Sequence, residues 1–498
     1  MTASQRRSLG VICTATFMLL LDITVVNVAL PDISKDLKTS FSDLQWVIDA
    51  YALSLAALLL TAGSLSDLLG RRLIFIAGLA VFTFASLLCG LAHSPLVLEL
   101  ARALQGVGGA AMFATSLALL AASFQGRQRG TAFGIWGATT GAAVAVGPLI
   151  GGVLTEHVSW QSIFFINVPI GVLAIWAAST QLSESKGPAA RVDLPGLVTF
   201  SGGLFFLVFA LVRGNAEGWG SGLIVGFLVA AGVLLPLFVV LELRRADPML
   251  DLKLFRKPAF TGAAIAAFAL SASMFAMFLY LTLYIQFCLG YKPLEAGIRF
   301  LPITLLSFGV APVAGKLSER LPVRYLIGGG LALVGVGLLL MRGLDATSGW
   351  TALLPGFIVA GAGIGMTNPP LASTAIGVVD PRRSGMASGI NTTFRQVGIA
   401  TGIAGLGAIF QSSLQSKLPG GPPGEVLAGS GPSILGPGRR TEFLTAYTDT
   451  LNELLLIGAA IALVAAVLAL VLVRPQDFVP HGAPSDADER GAGVPVAG

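Results

Sequence analysis

Fourteen apolar segments, each close to twenty residues long and separated from the next by a short polar stretch, account for most of the sequence. An α-helix needs about 20 apolar residues to cross a bilayer, where it also satisfies its own backbone hydrogen bonds. The chain is therefore predicted to be an all-α membrane protein with fourteen transmembrane helices. The segments are 10–30, 46–66, 73–92, 97–120, 131–154, 163–182, 194–212, 221–241, 260–283, 298–316, 324–341, 352–374, 386–410 and 452–473.

The charged residues support this class and predict an orientation. Only 11% of the residues are charged, against about 25% in soluble domains. If the N-terminus is cytoplasmic, the loops on that side hold about 20 of the 31 Lys and Arg residues and the opposite loops about 8, which follows the positive-inside rule. We expect a multi-pass protein of the bacterial plasma membrane, with the lipid bilayer around it and both termini in the cytoplasm.

Other functional classes find little support in the sequence. The basic residues punctuate the apolar segments and do not cluster with aromatic residues, so we expect no nucleic acid as a partner. Three cysteines and three histidines are scattered along the chain, which disfavours a disulfide framework and a metal site. No Gly-x-x-x-x-Gly-Lys-Ser/Thr sequence and no nucleophile–base pair is found, so we expect neither ATP-driven transport nor an enzyme, and no cofactor.

The chain repeats itself. Residues 63–67 (GSLSD) are echoed by 315–319 (GKLSE), and residues 130–134 (GTAFG) by 385–389 (GMASG). Two echoes at nearly the same offset predict two pseudo-symmetric six-helix halves plus two inserted central helices, and such proteins place their site at the membrane midplane between the repeats. The predicted regions are an N-terminal half over 1–185, the inserted helices and a cytoplasmic linker over 186–258, a C-terminal half over 259–474 with a long extracytoplasmic loop over 411–451, and a flexible cytoplasmic tail over 475–498.

Asp22 and Arg102 are charged residues inside predicted spans. Arg102 is costly there and is expected to face a partner or a watery cavity, and Asp22 is the obvious candidate for that partner. Burial disfavours the charged form of a carboxylate, whereas a nearby arginine favours it. A carboxylate that alternates between these surroundings can take up and release a proton, so we predict a proton-coupling role for Asp22 and Arg102. Asp49, near the extracytoplasmic end of the second span, is a further candidate for this role or an interfacial residue.

Other polar and large side chains on the spans are candidates to line a substrate cavity. Asn391 and Arg395, four residues apart, give the thirteenth span a polar face. Arg395 either lines the cavity or anchors the loop that contains Asp67. Gln105 shares a helical face with Arg102, and an aromatic cluster on the ninth span either packs or lines a cavity for an apolar ligand. The predicted cavity set is Asn27, Gln105, Met112, Tyr280, Tyr284, Asn391 and Arg395.

Two glycine-containing stretches are expected to serve conformational change. Pairs of small residues four apart allow another helix to approach closely, and a proline bends or softens a helix. Asp67 opposes the positive-inside rule at a span end, where it can pair with arginines or cap a neighbouring helix and so latch one state of the two halves. The predicted conformational residues are Gly63, Asp67, Gly70, Arg71 and Arg72 in the first stretch, and Gly137, Gly141, Gly147, Pro148, Gly151 and Gly152 in the second.

These motifs resemble those of the major facilitator superfamily, in its fourteen-span drug:proton antiporter branch. The segment from Gly63 to Arg72 is similar to the superfamily's signature in the loop between helices two and three. The sequences around Arg102 and from Gly137 to Gly152 look like the fourth-helix motif and the fifth-helix antiporter motif, and that from Leu21 to Pro31 resembles the branch's first-helix motif.

The resemblance implies a proton-coupled exporter of amphipathic small molecules, cationic or apolar, that works by alternating access as a monomer. Two other functions stay open. The first is an exporter dedicated to one endogenous metabolite, antibiotic or lipid, and the second is a membrane sensor that transports nothing.

Overall fold

The computed structural model describes residues 1–37, 41–124, 127–187, 193–245, 248, 250–380, 383–418 and 437–478, and all regular structure within them is helical. The first group of helices is α1 (Ala3–Leu37), α2 (Phe41–Leu69), α3 (Arg71–Gly90), α4 (Pro95–Ser123), α5 (Arg127–His157), α6 (Ser162–Phe165) and α7 (Asn167–Gln181). An intervening hairpin consists of α8 (Leu194–Glu217) and α9 (Gly222–Arg244).

The second group is α10 (Pro258–Leu270), α11 (Ala276–Leu283), α12 (Pro293–Arg299), α13 (Leu301–Leu317), α14 (Val323–Leu340), α15 (Leu354–Gly377), α16 (Ser384–Lys417) and α17 (Pro437–Leu472). Two π-helical turns, Ser271–Phe275 and Tyr284–Cys288, flank α11 and continue the crossing that α10 begins. Short 3₁₀ turns occur at Leu252–Arg256, Trp350–Leu353 and Pro475–Asp477.

Every one of the fourteen predicted segments falls on helical structure. Among the described residues, twelve helices are long and apolar enough to cross a membrane. The segment Leu301–Leu317 is a shorter apolar helix, and α5 runs for 31 residues through a sequence rich in glycine and threonine. The all-helical, multi-span fold predicted from the apolar segments is confirmed.

Helices continue beyond the predicted spans at several places. The predicted loop over 411–451 was too long, because α16 continues to Lys417 and α17 begins at Pro437; residues 419–436 lie outside the described part. The tail predicted from residue 475 begins later, since the turn at Pro475–Asp477 is held to α10 by a 2.9 Å hydrogen bond from Ala259 N to Asp477 Oδ2. Residues 479–498 lie outside the described residues.

The two groups of helices meet along two seams. At one seam α2 packs against α16, and at the other α5 packs against α13 and α15. Close approaches between backbones occur on both seams at the end of the bundle where α2 ends and α16 begins. We call this the basic end, defined by Arg71, Arg72, Lys316 and Arg320.

The inserted hairpin attaches to the first seam through α8. This helix packs against both α2 and α16, whereas α9 packs mainly on α8 and exposes many of its apolar side chains, such as Val229 and Val233. A hydrogen bond of 2.8 Å joins Thr61 Oγ1 of α2 to Ser201 Oγ of α8. The hairpin therefore touches a helix of each group at the place where the groups meet.

Candidate functional site

Four polar side chains converge inside the first group of helices. Asp22 of α1 accepts hydrogen bonds from Arg102 Nη1 at 2.6 Å, from Gln105 Nε2 at 2.8 Å and from Asn167 Nδ2 at 2.9 Å. None of the four residues is more than 1% exposed. The partnership of Asp22 and Arg102, which the sequence offered only as a hypothesis, is thus an ion pair sealed from solvent.

The remaining surface of the Arg102 guanidinium is also in contact. Its Nε donates to the backbone oxygen of Val47 at 3.1 Å, and its Nη1 lies 2.6 Å from Gln105 Oε1. The ring of Tyr51 lies beneath it, with 4.3 Å between the guanidinium carbon and the ring centroid. Arg102 thereby ties α2 to the α1 carboxylate, which balances its charge inside the protein.

This arrangement can respond to a proton. As a carboxylate, Asp22 accepts three hydrogen bonds, one of them from a cation. A proton on either oxygen would neutralise the carboxylate, break the ion pair and turn an acceptor into a donor. The buried guanidinium would then lack its counter-charge, which is costly, so protonation favours rearrangement of the helices that carry these groups.

Asp49 finds its partner on the inserted hairpin. Arg213 Nη1 of α8 lies 3.8 Å from Asp49 Oδ2, and Arg213 Nη2 donates to Glu217 Oε1 at 2.7 Å. The Trp46 ring faces the same guanidinium at 5.2 Å. Arg213 follows the predicted span directly and was not predicted as a site residue; its ion pair with Asp49 joins the hairpin to α2.

Asp67 joins the two groups at the basic end. Its Oδ1 accepts from Arg71 Nε at 3.0 Å and Nη2 at 2.9 Å, and from the backbone nitrogen of Gly385 at 3.0 Å. Its Oδ2 accepts from the nitrogen of Met386 at 2.9 Å. The carboxylate caps free amides in the first turn of α16, where the helix dipole favours negative charge. The predicted latch contact is therefore present, and backbone amides make it, not Arg395.

The turn after Asp67 needs glycine at Gly70, whose φ is +124°. A side chain there would also collide with Glu184, whose carboxylate accepts from the nitrogens of Arg72 and Leu73 at 3.1 Å each and caps α3. Arg72 donates from Nη2 to the backbone oxygen of Ser179. These contacts hold the turn against the segment after α7.

The seams at the basic end are made by backbone meeting backbone. A Cβ built on Gly63 would collide with the carbonyl oxygen of Gly385, and one built on Gly130 with that of Gly315. The internal repeat thus has a physical basis: the glycines of the two echoed motifs face one another in pairs across the two seams.

The glycines of α5 divide into two sets. A Cβ on Gly137 would lie 3.2 Å from Pro369 Cγ, so this position faces α15 of the second group. Gly147 and Gly151 instead pack against Thr24 and Val25 of α1, next to Asp22. Helix α5 thus touches both the helix of the buried acid and the opposite group.

The remaining members of the α5 set follow the same division. A Cβ on Gly141 would lie 3.7 Å from Ser307 Oγ of α13, and one on Gly152 3.7 Å from Leu294 Cβ of α12. The side chains of Pro148 and Asn27 lie outside the described residues.

Three of the predicted cavity residues lie in packed core. Tyr280 donates to the backbone oxygen of Ile403 at 3.0 Å and Tyr284 to that of Ser348 at 2.9 Å, so both hydroxyls are used within the second group. Met112 is 1% exposed in the large apolar core. Nothing in these contacts points to a ligand.

Asn391 and Arg395 lie on α16 in the second group. Arg395 Nη1 donates to Asn368 Oδ1 of α15 at 2.8 Å, while its Nε and Nη2 are buried and have no hydrogen-bond partner. The Oδ1 atom of Asn391 is likewise buried without a partner. Asn368, and Asn167 beside Asp22, were not predicted as site residues, although each is a polar residue in an apolar span.

Comparisons with known proteins point in one direction. A family model described as the Major Facilitator Superfamily matches residues 12–403. The puromycin resistance protein of Streptomyces alboniger is 38% identical over 80% of this chain and 81% of its own length. The tetracenomycin C resistance and export protein of Streptomyces glaucescens is 31% identical over 97% and 94%, respectively. The multidrug resistance protein Stp of Mycobacterium tuberculosis is 36% identical over 81% and 75%.

The fold has a solved counterpart. The crystal structure of the human organic anion transporter MFSD10 aligns with a TM-score of 0.65 at 13% identity, covering 94% of this chain and all of that one. At this level of identity the likeness concerns the fold alone. In the described part of the chain, no group of three or more His, Cys, Asp and Glu side chains is placed to hold a metal ion.

Proposed function

Because the chain belongs to the Major Facilitator Superfamily, we propose that it exports amphipathic small molecules across a bacterial plasma membrane in exchange for protons. As a member of that superfamily it is a multi-pass membrane carrier and not an enzyme. Exchange for protons, action as a monomer and a cytoplasmic position of both termini are parts of the proposal.

The observation that carries the proposal is the sealed network around Asp22. A buried carboxylate held by one arginine and two amides is a group whose charge the surrounding helices can sense. Protonation releases Arg102, which also holds α2 through Val47. Asp67, the cap of α16, lies in the last turn of α2, so one helix connects the buried acid to the contact between the groups.

We propose that the state described here is closed at the basic end, which the distribution of Lys and Arg places on the cytoplasmic side. Asp67 on the first turn of α16 and the glycine pairs across both seams hold this end shut. Separation of these contacts, with α5 moving against α1, would expose the space between the groups to the cytoplasm. Rocking of this kind about a central site is the general behaviour of transporters built from repeats.

The driving force is sufficient. One proton moving through 100 mV supplies about 2.3 kcal/mol, and a pH difference of one unit adds about 1.4 kcal/mol. At about 1.4 kcal/mol per tenfold concentration ratio, one proton supports roughly a several-hundred-fold gradient of a neutral substrate.

Proton movement in inverted membrane vesicles tests the proposal. Energised vesicles carrying wild type are expected to release protons when puromycin or a neutral amphiphile is added, and vesicles carrying Asp22→Asn are expected not to. Asp32→Asn is the matched control, since it makes the same change on the same helix at an exposed position. Release that persists in Asp22→Asn would remove Asp22 from the proton path.

The names of several relatives favour a second candidate, an exporter dedicated to one compound. Puromycin, tetracenomycin C and methylenomycin A each occur in the name of one or more of them. The same vesicles distinguish the two: response to one compound out of a chemically varied panel supports the dedicated exporter, and response to many supports the multidrug exporter. No response to any compound would leave a sensor that transports nothing.

A further inference from the structure

Arg395 lies deep in the membrane-spanning part of α16. It is eleven residues after Ser384, the first residue of the helix, which places it about 16 Å along the axis at 1.5 Å per residue. That is near mid-depth of a hydrocarbon core about 30 Å thick. A guanidinium at this depth needs a counter-charge, hydrogen-bond acceptors or water.

Among the described residues, Arg395 has one such partner, a hydrogen-bond acceptor. Asn368 Oδ1 accepts from Arg395 Nη1 at 2.8 Å, and no carboxylate of the described residues lies within ion-pairing distance of Arg395. Nε and Nη2 are both buried and have no hydrogen-bond partner. Leaving donors of a charged group unsatisfied is expensive, so this edge of the guanidinium is prepared for a group that the protein itself does not provide.

The free edge has a definite geometry. Nε and Nη2 point in parallel from one side of the guanidinium and match the two oxygens of a carboxylate. Arg71 uses the same two donors on an acid, because its own Nε and Nη2 both donate to Oδ1 of Asp67, at 3.0 and 2.9 Å. Among the described residues, no acid accepts from these two donors of Arg395.

Its neighbours on the helix extend the polar surface. Ser388, Asn391 and Arg395 follow at intervals of three and four residues, which places them along one side of α16; we call them the α16 polar row. The oxygens Ser388 Oγ and Asn391 Oδ1 are buried without partners. The partner of Arg395 is one residue from Pro369, which packs against Gly137 of the opposite group, so the row lies close to the second seam.

We infer that the α16 polar row binds the acidic group of an amphipathic substrate, a carboxylate or an enolate, through the free edge of Arg395. The inference rests on the proposed export function and narrows its substrate class. A fixed positive charge without a counter-ion selects against the cationic substrates that the sequence resemblance implied.

Equilibrium binding to the full chain in lipid nanodiscs tests the inference. The probes are 1-pyrenebutyrate, its neutral amide 1-pyrenebutanamide, and a pyrenebutyl trimethylammonium cation. Wild type is expected to bind the carboxylate about tenfold or more tightly than the amide, as for hydrogen bonds to a charged group, and the cation most weakly. Arg395→Gln should abolish this preference while the affinity for the amide stays within about twofold of wild type, which also shows that the variant is folded.

Asn368→Asp is the more specific variant, because it only replaces a side-chain amide by a carboxylate. It gives Arg395 a permanent counter-ion at the position of Asn368 Oδ1. It should abolish the preference for the carboxylate as Arg395→Gln does, while Arg324→Gln, which changes an arginine at the membrane edge of the same group, should have no effect. The inference is overturned if wild type binds the cation as tightly as the carboxylate, or if both variants retain the carboxylate preference.

The vesicle experiment with the neutral amide separates this result from the export proposal. In one outcome, the amide causes proton release that requires Asp22 while binding shows no Arg395-dependent preference for the carboxylate. That result overturns the inference and leaves the antiport proposal standing. Arg395-dependent carboxylate binding without proton release supports the anion site and removes antiport.

Discussion

Arg102 and Arg395 are both arginines in membrane-spanning helices, one in each group, and the protein surrounds them differently. Arg102 has an acid, an amide, a backbone carbonyl and an aromatic face as partners. Arg395 has one amide. The first group therefore balances its buried charge internally, whereas the second leaves a cation unbalanced beside the seam.

The difference suggests that the two groups of helices, although they share a sequence repeat, have different functions. The Asp22–Arg102 pair loses its charge balance only when Asp22 binds a proton, which suits proton coupling. Arg395 gains a counter-ion only when a ligand binds, which suits substrate recognition.

The largest effect is expected from the removal of Arg102, which tests whether the first group balances its buried charge internally. Arg102→Gln leaves Asp22 buried without its counter-charge, which is expected to lower the unfolding free energy by about 3–5 kcal/mol and to abolish export. Arg395→Gln loses one hydrogen bond and is expected to cost about 1 kcal/mol. Thermal unfolding in detergent compares the two variants, and equal losses would show that the second group also balances its charge internally.

A double variant serves as the control for that test. Arg102→Met combined with Asp22→Leu replaces the pair by apolar groups of similar size, which is often neutral or stabilising. We expect most of the lost stability to return and proton release to remain absent. A double variant as unstable as Arg102→Gln would mean that packing, not charge, explains the loss.

The contrast between the two groups can also be tested at the repeated motif, where Asp67 caps α16. Asp67→Asn loses the ion pair with Arg71 and weakens the cap on α16, at a cost of up to about 2 kcal/mol. A cysteine at Ser388, in a chain with its three native cysteines replaced, should then react roughly tenfold faster with a maleimide. Asp32→Asn is the matched control, because it makes the same change at an exposed position of α1. Equal acceleration by both changes would contradict a latch that acts through Asp67.

The inserted hairpin is expected to give a smaller effect. The 3.8 Å separation of Arg213 and Asp49, with Glu217 competing at 2.7 Å, indicates a coupling of about 1 kcal/mol or less. Unfolding free energies of Arg213→Gln, Asp49→Asn and the double variant give that coupling directly, and export should fall a few-fold. A coupling of zero would mean that this ion pair adds nothing to the packing contacts between α8 and α2.

The tyrosines of the second group are expected to matter least for transport. Tyr280→Phe and Tyr284→Phe each remove one hydrogen bond to a backbone oxygen, at a cost of about 1 kcal/mol in stability. Export rates measured in the same vesicles should stay at the wild-type level. A large fall in export would mean that the aromatic cluster contacts substrate, as the sequence predicted.

Span number and fold class could be predicted because membrane thickness fixes the length of an apolar segment. Helix ends could not, since a helix need not stop where its side chains become polar. Residues 411–417 are mostly polar and were predicted as loop, yet α16 continues through them to Lys417. Arg213 was missed for the same reason: it follows the last apolar residue of its span, and α8 continues to Glu217.

The site was predictable only in part. Asp22 and Arg102 could be identified because charges inside spans are rare, and the glycines because small residues mark close packing. The partners of these residues come from other helices, and no pattern along one helix reports the distance to another. Asn368, Asn167 and the acid-free surroundings of Arg395 belong to this second kind of information.

The complete burial of Asp22 has a consequence for the cell that carries this protein. With no exposed surface on the carboxylate and every described contact made by protein groups, neither aqueous compartment reaches it in this conformation. Under the proposed exchange, the resting carrier would not let the proton gradient drain away, so a cell could keep many copies in its membrane between exposures to toxin without a continuous loss of respiratory energy.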